Sequence, residues 1–305
     1  MYGTAMRYQA LFLSLLLAAT ARGQIFVANS DSGTIGEYTL SGTTIDATLI
    51  SGLSFPQMIT VSGSNLFVVN YNNNTIGEYT TSGATVNASL ISGLNHPDGI
   101  AVLGGNIFVS NRGDGTIGKY DATTGAPVNT ALISGLNDPA SLTASGTSLY
   151  ISLFGDNGVA EYTTSGVLVN AALISGLSQP YGIAVSGTDL FVANNNTGPI
   201  GKYTTSGATV SSTLIPSFSQ PFGLTVFGGN LYISSDDQGT VSKYDLSGTA
   251  INTSLITGLG GGTTGIAVIP EPEVWALVAG SISALFILYI RRAKPNHSPS
   301  IKMQE

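Results

Sequence analysis

Residues 66–106 have the sequence LFVVNYNNNTIGEYTTSGATVNASLISGLNHPDGIAVLGGN, and this stretch recurs along almost the whole chain. Its opening phrase returns as IFVAN, LFVVN, IFVSN, LYISL, LFVAN and LYISS, with successive copies 41, 41, 42, 41 and 41 residues apart. A period of about 40–45 residues is typical of the four-stranded blades of a β-propeller. The six copies start at Ile25, Leu66, Ile107, Leu149, Leu190 and Leu231.

Each repeat contains four short apolar runs, which in the third repeat are GIAVLG (99–104), NIFVSN (106–111), TIGKYD (116–121) and TALISGL (130–136). The runs are rich in β-branched and aromatic residues, and Gly, Asn, Asp and Ser lie between them, which indicates short strands joined by tight turns. No stretch of the repeats shows the 3.6-residue apolar period of an amphipathic helix. The pattern therefore predicts an all-β, six-bladed propeller over residues 24–269. A β-solenoid is the alternative, although its coils are usually shorter.

The phase of the repeats predicts how the ring closes. The chain enters the repeats with the second strand of a blade, IFVAN at Ile25, and leaves them with a first strand, GIAVI at 265–269. We expect this last strand to pair with the first one and to complete the N-terminal blade. Such pairing removes an exposed strand edge that an open array would leave available for aggregation.

Composition narrows the classes of function. The chain has 305 residues, of which 9% are charged, against about a quarter in typical globular domains. The net charge is −7, and the repeats carry 14 acidic and 4 basic residues, a balance of −10. We expect no nucleic-acid partner, because a basic surface stripe is missing. There is no cysteine, which excludes disulfides, thiolate metal sites and cysteine nucleophiles.

The N-terminus predicts export. Residues 1–23 combine a basic Arg7 with the apolar run ALFLSLLLAA (10–19) and small residues before Gln24. This arrangement is typical of a secretory signal peptide cleaved after Gly23. A membrane anchor is the alternative, but the apolar run is short for a bilayer.

A second apolar segment lies near the C-terminus. VWALVAGSISALFILYI (274–290) is long enough to form a transmembrane helix, and Arg291 and Arg292 follow it directly. Basic residues next to a membrane helix favour the cytoplasmic side. We therefore expect the polar tail, residues 293–305, to be cytoplasmic.

The triplet Pro270-Glu271-Pro272, the apolar helix with an early tryptophan and the arginine pair together resemble a PEP-CTERM sorting signal over residues 270–292. This resemblance implies a bacterial envelope protein whose tail is recognised by an exosortase, a membrane protease that acts near the triplet. It also implies an association with exopolysaccharide production. The signal residues are Pro270, Glu271, Pro272, Arg291 and Arg292.

The repeats themselves resemble NHL-type and YVTN-type propellers. In those families an Asn-Pro-x-Gly-Ile-Ala phrase precedes a Leu-Tyr-Val-Ala-Asn phrase, and here NHPDGIA (95–101) precedes IFVSN (107–111). The resemblance implies the propeller fold. It leaves activity open, because such propellers include scaffolds, lyases and lactonases.

The repeats hold few groups that carry chemistry. His96 is their one histidine, no Gly-x-Ser-x-Gly elbow is present, and no glycine-rich phosphate loop precedes a helix. Acidic loop residues could bind calcium or form turns. Glu37, Glu78 and three lysines share one strand position, which predicts a solvated row of mixed sign. We expect no catalytic residues, no cofactor and no metal. The acidic loop residues are Asp31, Asp114, Asp156, Asp236 and Asp237.

Positions that differ between repeats predict a ligand site. The loops before the first strands and after the second strands should meet on one face around the central channel, where binding residues tend to lie. We expect Tyr181 and Phe222 to form an exposed platform for a sugar ring; unselected loop variation with some burial is the alternative. The candidate ligand-binding residues are Asn70, Asp98, Asn111, Tyr181, Asn194 and Phe222.

The sequence as a whole predicts an exported envelope or extracellular-matrix protein. We expect it to be a non-catalytic binding or scaffold propeller whose partners are an exosortase-type protease, extracellular polysaccharide or other envelope proteins. We expect the C-terminal helix to hold it transiently in the membrane. The alternative is a metal-dependent lactonase-like or lyase-like enzyme.

Overall fold

The computed structural model describes residues 23–196 and 198–270, and within them it contains 24 β-strands in six four-stranded antiparallel sheets and no helix. This confirms the all-β, six-bladed propeller. No helix in the described ranges is long and apolar enough to cross a membrane. The predicted signal peptide up to Arg22, the transmembrane segment and the polar tail lie outside the described residues.

The strands are numbered β1 to β24 in chain order, and each blade has an inner, a second, a third and an outer strand. Blade 1 contains β24 (Thr263–Pro270), β1 (Gly23–Asn29), β2 (Thr34–Thr39) and β3 (Thr44–Ile50), and blade 2 contains β4 (Pro56–Ser62), β5 (Asn65–Asn70), β6 (Thr75–Thr80) and β7 (Thr85–Ile91). Blade 3 contains β8 (Pro97–Leu103), β9 (Asn106–Asn111), β10 (Thr116–Asp121) and β11 (Pro127–Ile133), and blade 4 contains β12 (Pro139–Ser145), β13 (Ser148–Leu153), β14 (Gly158–Thr163) and β15 (Leu168–Ile174). Blade 5 contains β16 (Pro180–Ser186), β17 (Asp189–Asn194), β18 (Ile200–Thr204) and β19 (Thr209–Ile215), and blade 6 contains β20 (Pro221–Phe227), β21 (Asn230–Ser235), β22 (Thr240–Asp245) and β23 (Ala250–Ile256).

The ring closes through blade 1. The last strand, β24, lies beside β1 at the inner edge of the first sheet, as the phase of the repeats predicts. The Thr264 hydroxyl of blade 1 donates a hydrogen bond to the Pro56 carbonyl of blade 2 at 2.9 Å and so links the two blades. The first and last strands of the propeller therefore belong to one sheet that is itself tied to the next.

The core lies between neighbouring blades. Ala101 and Phe108 of blade 3 pack in one cluster with Leu142 and Leu149 of blade 4. The second strands are almost fully buried, whereas most side chains of the outer strands are exposed. Burial on both sheet faces explains why apolar and polar residues do not alternate cleanly along the inner strands.

In four of the six blades the third strand carries a buried tyrosine two residues after a glycine, and in blade 6 Ser242 takes the place of the glycine while Tyr244 is still buried. In β6 a Cβ atom at Gly77 would lie 2.7 Å from the Tyr79 ring, so the ring occupies the space that a side chain would need. Blade 4 has Ala160 in place of the glycine, and there Tyr162 is partly exposed. The tyrosine row is therefore part of the packing between blades.

The charged row of the third strands is not solvated as predicted. Glu37 and Glu78 are 6% and 5% exposed. Asn65 donates to Glu78 at 2.6 Å, and Lys202 pairs with Asp189 at 2.9 Å. The expectation was wrong because each of these charges lies against a polar residue at the start of its own second strand, and that partner compensates for lost water.

Candidate functional site

Two sets of loops share one face of the propeller, here called the upper face. One set joins second to third strands, and the other joins successive blades. In blade 3 the Arg112 N–H donates to the His96 carbonyl at 3.1 Å. The loop residue that accepts this bond has a positive φ, 48° at His96, which non-glycine residues rarely adopt. The same backbone bond occurs in the other blades between Ser30 and Gly262, Tyr71 and Phe55, Phe154 and Asp138, Asn195 and Gln179, and Asp236 and Gln220.

The second residues of the inner strands meet at the upper end of the channel and form what we call the inner ring. Tyr181 of blade 5 donates its hydroxyl to both carboxylate oxygens of Asp98 in blade 3 at 2.5 Å. The rings of Tyr181 and Phe222 lie 3.9 Å apart between centroids. These contacts close the upper end, and below them the inner strands line a cavity of about 280 Å³. The inner ring consists of Gln57, Asp98, Ala140, Tyr181, Phe222 and Thr264.

The two aromatic residues of the inner ring are not an exposed platform. Tyr181 is 4% exposed and Phe222 is 7% exposed, and both belong to one buried cluster. The expectation of loop-tip residues was wrong because six inner strands converge at the channel, so a side chain at this position packs against other blades. The replacement of both by alanine would open a cavity and destabilise the fold.

Asp98 is the buried charge of the site. It is fully buried, and burial raises its pKa to about 6, while the Tyr181 hydrogen bond and the nearby Arg112 oppose that rise. Burial, followed by the charge of Asp98, raises the pKa of Tyr181 well above its ordinary value, so the phenol remains a hydrogen-bond donor. The pair therefore places a titratable carboxyl group near neutral pH at the end of the channel.

Arg112 holds two carboxylates of neighbouring blades together. Its Nη1 lies 3.4 Å from Asp98, and Nε and Nη2 donate to the two oxygens of Asp138, the second at 2.9 Å. Its guanidinium also lies over the Phe154 ring, 4.7 Å from the centroid. Bidentate pairing and stacking fix the orientation of an arginine more firmly than a single ion pair does.

One side of the upper face is aromatic and charged. The Tyr71 ring lies 6.1 Å from Phe55 and 5.0 Å from His96 between centroids. His96 is exposed, and the others are partly exposed. Blades 5 and 6 have Gln179, Asn195, Gln220 and Asp236 at the matching positions, so this side differs from the opposite one. We call it the aromatic sector; it consists of Phe55, Tyr71, His96, Arg112, Asp138 and Phe154.

The three candidate asparagines are buried at the ends of their second strands. Asn70 and Asn194 accept the backbone N–H groups of Ser54 and Ser178 at 3.4 and 3.0 Å. Asn111 differs, because its amide nitrogen donates to Thr116 at 3.2 Å and its Oδ1 has no partner among the described residues. Asp98, Tyr181 and Phe222 are thus brought together, while Asn70 and Asn194 secure loops. The ligand-binding role of the six candidates stays a prediction.

Sequence reasoning missed Tyr71, Arg112, Asp138 and Phe154 as members of the site. A signal was present, because the residue after each second strand differs in all six blades and Arg112 is the one arginine of the repeats. The inner ring also contains an unpartnered acceptor. Gln57 is 7% exposed, and its Oε1 has no hydrogen-bond partner within the described part of the chain.

The five acidic loop residues share no common site: Asp31, Asp236 and Asp237 lie near one another, whereas Asp114 and Asp156 lie on other loops. Within residues 23–196 and 198–270 no group of three or more His, Asp or Glu side chains could hold a metal ion. Asp114 accepts a hydrogen bond from Thr116, and Asp156 accepts one from Asn137, both at 2.8 Å. Burial, together with the charges of Asp31 and Asp237, raises the pKa of Asp236.

Solved structures with the same fold include both binding proteins and enzymes. No family model and no curated protein matches the chain. The chain is similar to a structure from a nidogen/laminin complex, with a TM-score of 0.69, 17% identity, and 81% of this chain and 98% of the other covered. It is also similar to streptogramin B lyase, with a TM-score of 0.59, 19% identity, and 80% and 83% covered. A catalytically inactive virginiamycin B lyase from Staphylococcus aureus with quinupristin gives a TM-score of 0.57, 18% identity, and 83% and 93% covered.

These identities show the fold alone, and they agree with the propeller that the NHL- and YVTN-type resemblance implies. They also correct one expectation. We expected the protein not to be an enzyme, but lyases share the fold. The absence of catalysis therefore does not follow from the architecture, and that expectation was wrong as an inference from the repeats.

Proposed function

We propose that this protein is an exported envelope propeller that binds a polysaccharide on the aromatic sector of its upper face. The observation that carries the proposal is the asymmetry of that face. The same backbone hydrogen bond joins one pair of loop residues in each of the six blades. In the aromatic sector these pairs include Tyr71, His96 and Arg112, whereas in the other blades most of them are small or neutral polar residues. Packing requires the same residues in every blade, so a departure confined to one side supports a ligand rather than the fold.

The chemistry of the sector suits a sugar. Partly exposed aromatic rings offer a flat apolar surface for a pyranose, and His96 and Asp138 offer hydrogen-bonding groups at its edge. Arg112 is held by two carboxylates and so presents its remaining exposed surface without moving. Rigid anchors of this kind reduce the entropy lost on binding.

The proposal includes export from the cytoplasm and sorting to the cell envelope. Cleavage after Gly23 would release the propeller at the start of β1, and processing by an exosortase near Pro272 would free it from the membrane helix at 274–290. Support comes from the sequence signals at both ends and from the compact unit formed by Gly23–Ile269. Intact-mass measurement on protein from its native host tests this. A surface species that retains Arg291 and Arg292 would contradict exosortase processing and indicate a permanently anchored protein.

The binding proposal is tested by exchanging residues between sectors. In the double variant Tyr71→Asn/His96→Gln, residues that blades 5 and 6 already tolerate replace the partly exposed Tyr71 and the exposed His96. We expect retention of the full-length chain on the host's extracellular polysaccharide to weaken at least tenfold, about 1.4 kcal/mol. The thermal midpoint should change little, because both side chains lie at the surface.

The matched control is Gln220→Ala, at the position in blade 6 that corresponds to His96. Both residues are exposed and have a positive φ, 36° and 48°. The control should bind like the unaltered protein. Equal binding by the double variant, or equal losses in both proteins, would remove the aromatic sector as the site.

A second candidate function is acid–base catalysis at the inner ring, favoured by Asp98. Its carboxyl group has a pKa of about 6, is oriented by Tyr181 and lies on a fold that lyases share. Turnover of lactones and cyclic esters by the full-length chain tests it, with Asp98→Asn as the variant that should abolish activity and keep the fold. Activity that is unchanged in this variant would place the chemistry elsewhere.

A further inference from the structure

A cleft at the rim of the propeller lies between blades 2 and 3. We call it the blade 2–3 cleft; its volume is about 500 Å³. Leu90 and Leu94 line it from blade 2, and Asn111, Asp114, Tyr120 and Pro127 line it from blade 3. A volume of this size falls within the range typical of small-molecule sites.

The cleft contains an acceptor without a partner. Asn111 is 3% exposed, and its Oδ1 makes no hydrogen bond to any described residue. Burial raises the pKa of the Tyr120 phenol, the Asp114 charge adds to the rise and Asn111 opposes it. The three groups therefore face one space, and an amide oxygen left unpaired there is unfavourable unless something donates to it.

An equivalent cleft between blades 6 and 1 provides an internal comparison. The blade 6–1 cleft is lined by matching positions, including Asn29 and Tyr38, and has about 250 Å³. There the Asn29 amide nitrogen donates to the Leu259 carbonyl, and its Oδ1 accepts from the Ser32 N–H at 3.2 Å. An asparagine at this position can thus be fully satisfied by the fold. The unpartnered Oδ1 of Asn111 is therefore specific to the blade 2–3 cleft, because the repeat sequence does not by itself leave this oxygen without a partner.

The cleft is also where the repeat changes length. The third repeat is 42 residues long because its turn between β10 and β11, residues 121–125, has one extra residue. Gly125 in this turn has a φ of 70° and approaches the Leu90 carbonyl so closely that a Cβ atom would collide with it. Pro127 then starts the outer strand at the cleft wall. The insertion and the unpartnered amide oxygen therefore occur at one place.

We propose that the blade 2–3 cleft binds a neutral sugar of one or two rings, with a hydroxyl donating to Asn111 Oδ1. Leu90, Leu94 and Pro127 supply apolar surface for the ring, and the Asp114 carboxylate accepts a further hydroxyl. A neutral hydroxyl suits a buried amide oxygen better than an ammonium group does, because a buried charge is far more expensive to desolvate. This site is separate from the aromatic sector and does not rest on the polysaccharide proposal.

The test uses the full-length chain and a panel of soluble sugars: glucose, galactose, mannose, N-acetylglucosamine and their β-linked disaccharides. Binding is measured by saturation-transfer NMR and calorimetry. Asn111→Leu keeps the approximate volume and removes the acceptor. We expect at least a tenfold loss of affinity, together with a thermal midpoint that is unchanged or higher, since the variant removes an unsatisfied buried group. A purely structural role for Asn111 would instead lower the midpoint and leave sugar affinity unchanged.

Tyr120→Phe and Tyr38→Phe form the matched pair, because they remove the same hydroxyl from the two clefts. Only Tyr120→Phe should weaken sugar binding, and Gln220→Ala should leave binding in the cleft intact. The proposal is overturned if Asn111→Leu binds as well as the unaltered chain, if both tyrosine variants behave alike, or if putrescine binds where no sugar does.

Discussion

Among single residues, Asp98 makes the channel end sensitive to pH. Its pKa rises from an ordinary 3.8 to about 6 on folding, so between these values the folded state binds more protons than the unfolded state. The stability that it contributes is full below pH ~4 and is lost as pH rises through about 6. We expect Asp98→Asn to raise the free energy of unfolding at pH 7 by up to roughly 3 kcal/mol and to change it little at pH 4. Urea unfolding at both pH values measures this.

Asp156→Asn is the control for that experiment, because Asp156 is exposed and bonds only at the loop surface. The Asp156→Asn substitution should change the free energy of unfolding by less than about 0.5 kcal/mol, as surface substitutions usually do. If the Asp98→Asn variant loses stability equally at both pH values, the favourable interactions of the Asp98 side chain outweigh the cost of burying its charge, and the prediction is wrong.

The residues at the channel end show where sequence reasoning stops. The variation at Tyr181 and Phe222 was visible, and it correctly drew attention to this end of the channel. Their burial was not visible, because the Asp98 partner of Tyr181 is 83 residues away and belongs to a blade two positions around the ring. A repeat pattern locates equivalent positions, but it does not say which side chains from different blades share one space. Arg112 was missed because its two carboxylate partners, Asp98 and Asp138, lie 14 and 26 residues away along the chain.

At the scale of strands, the glycine of the third strand sets the packing of the tyrosine two residues later. Gly77→Ala would place a Cβ atom 2.7 Å from the Tyr79 ring. We expect the ring to be displaced and the free energy of unfolding to fall by roughly 1–3 kcal/mol, as overpacked cores typically lose. Denaturant unfolding measures the change, and near-ultraviolet circular dichroism reports the tyrosine environment.

Blade 4 supplies the reverse experiment. Ala160 already occupies the equivalent position, and Tyr162 is partly exposed there. Ala160→Gly should therefore cost less than about 1 kcal/mol, the usual penalty for glycine in a strand. A loss at Ala160→Gly as large as that at Gly77→Ala would show that strand propensity, rather than ring packing, controls this position. The sequence placed the neighbouring glutamates in solvent because it could not show that Gln24 and Asn65 of the second strands donate hydrogen bonds to them.

For the whole molecule, the period of 41 residues carried most of the information. It predicted six four-stranded blades and the pairing of the last strand with the first, and both are present. The reason is physical, since every blade buries both faces against its neighbours and so must repeat the same apolar pattern. Function need not give such a repeat, because a single bound ligand would contact the blades unequally. Departures from the repeat, such as the insertion at 121–125, therefore carry information about function that the period itself does not.

Ring closure gives the prediction at this scale. A chain that stops after Gly262 lacks β24, which leaves β1 at an open edge and removes Ile266 and Ile269 from the core. Two buried isoleucines alone contribute about 2–5 kcal/mol each, and no disulfide holds the ring. We expect a broad, early unfolding transition with the stability lowered by roughly 5 kcal/mol or more, as followed by circular dichroism and calorimetry. A chain that stops after Pro270 keeps the strand and should unfold in one sharp step. If the two truncations melt together, the β24–β1 pairing is not what closes the propeller.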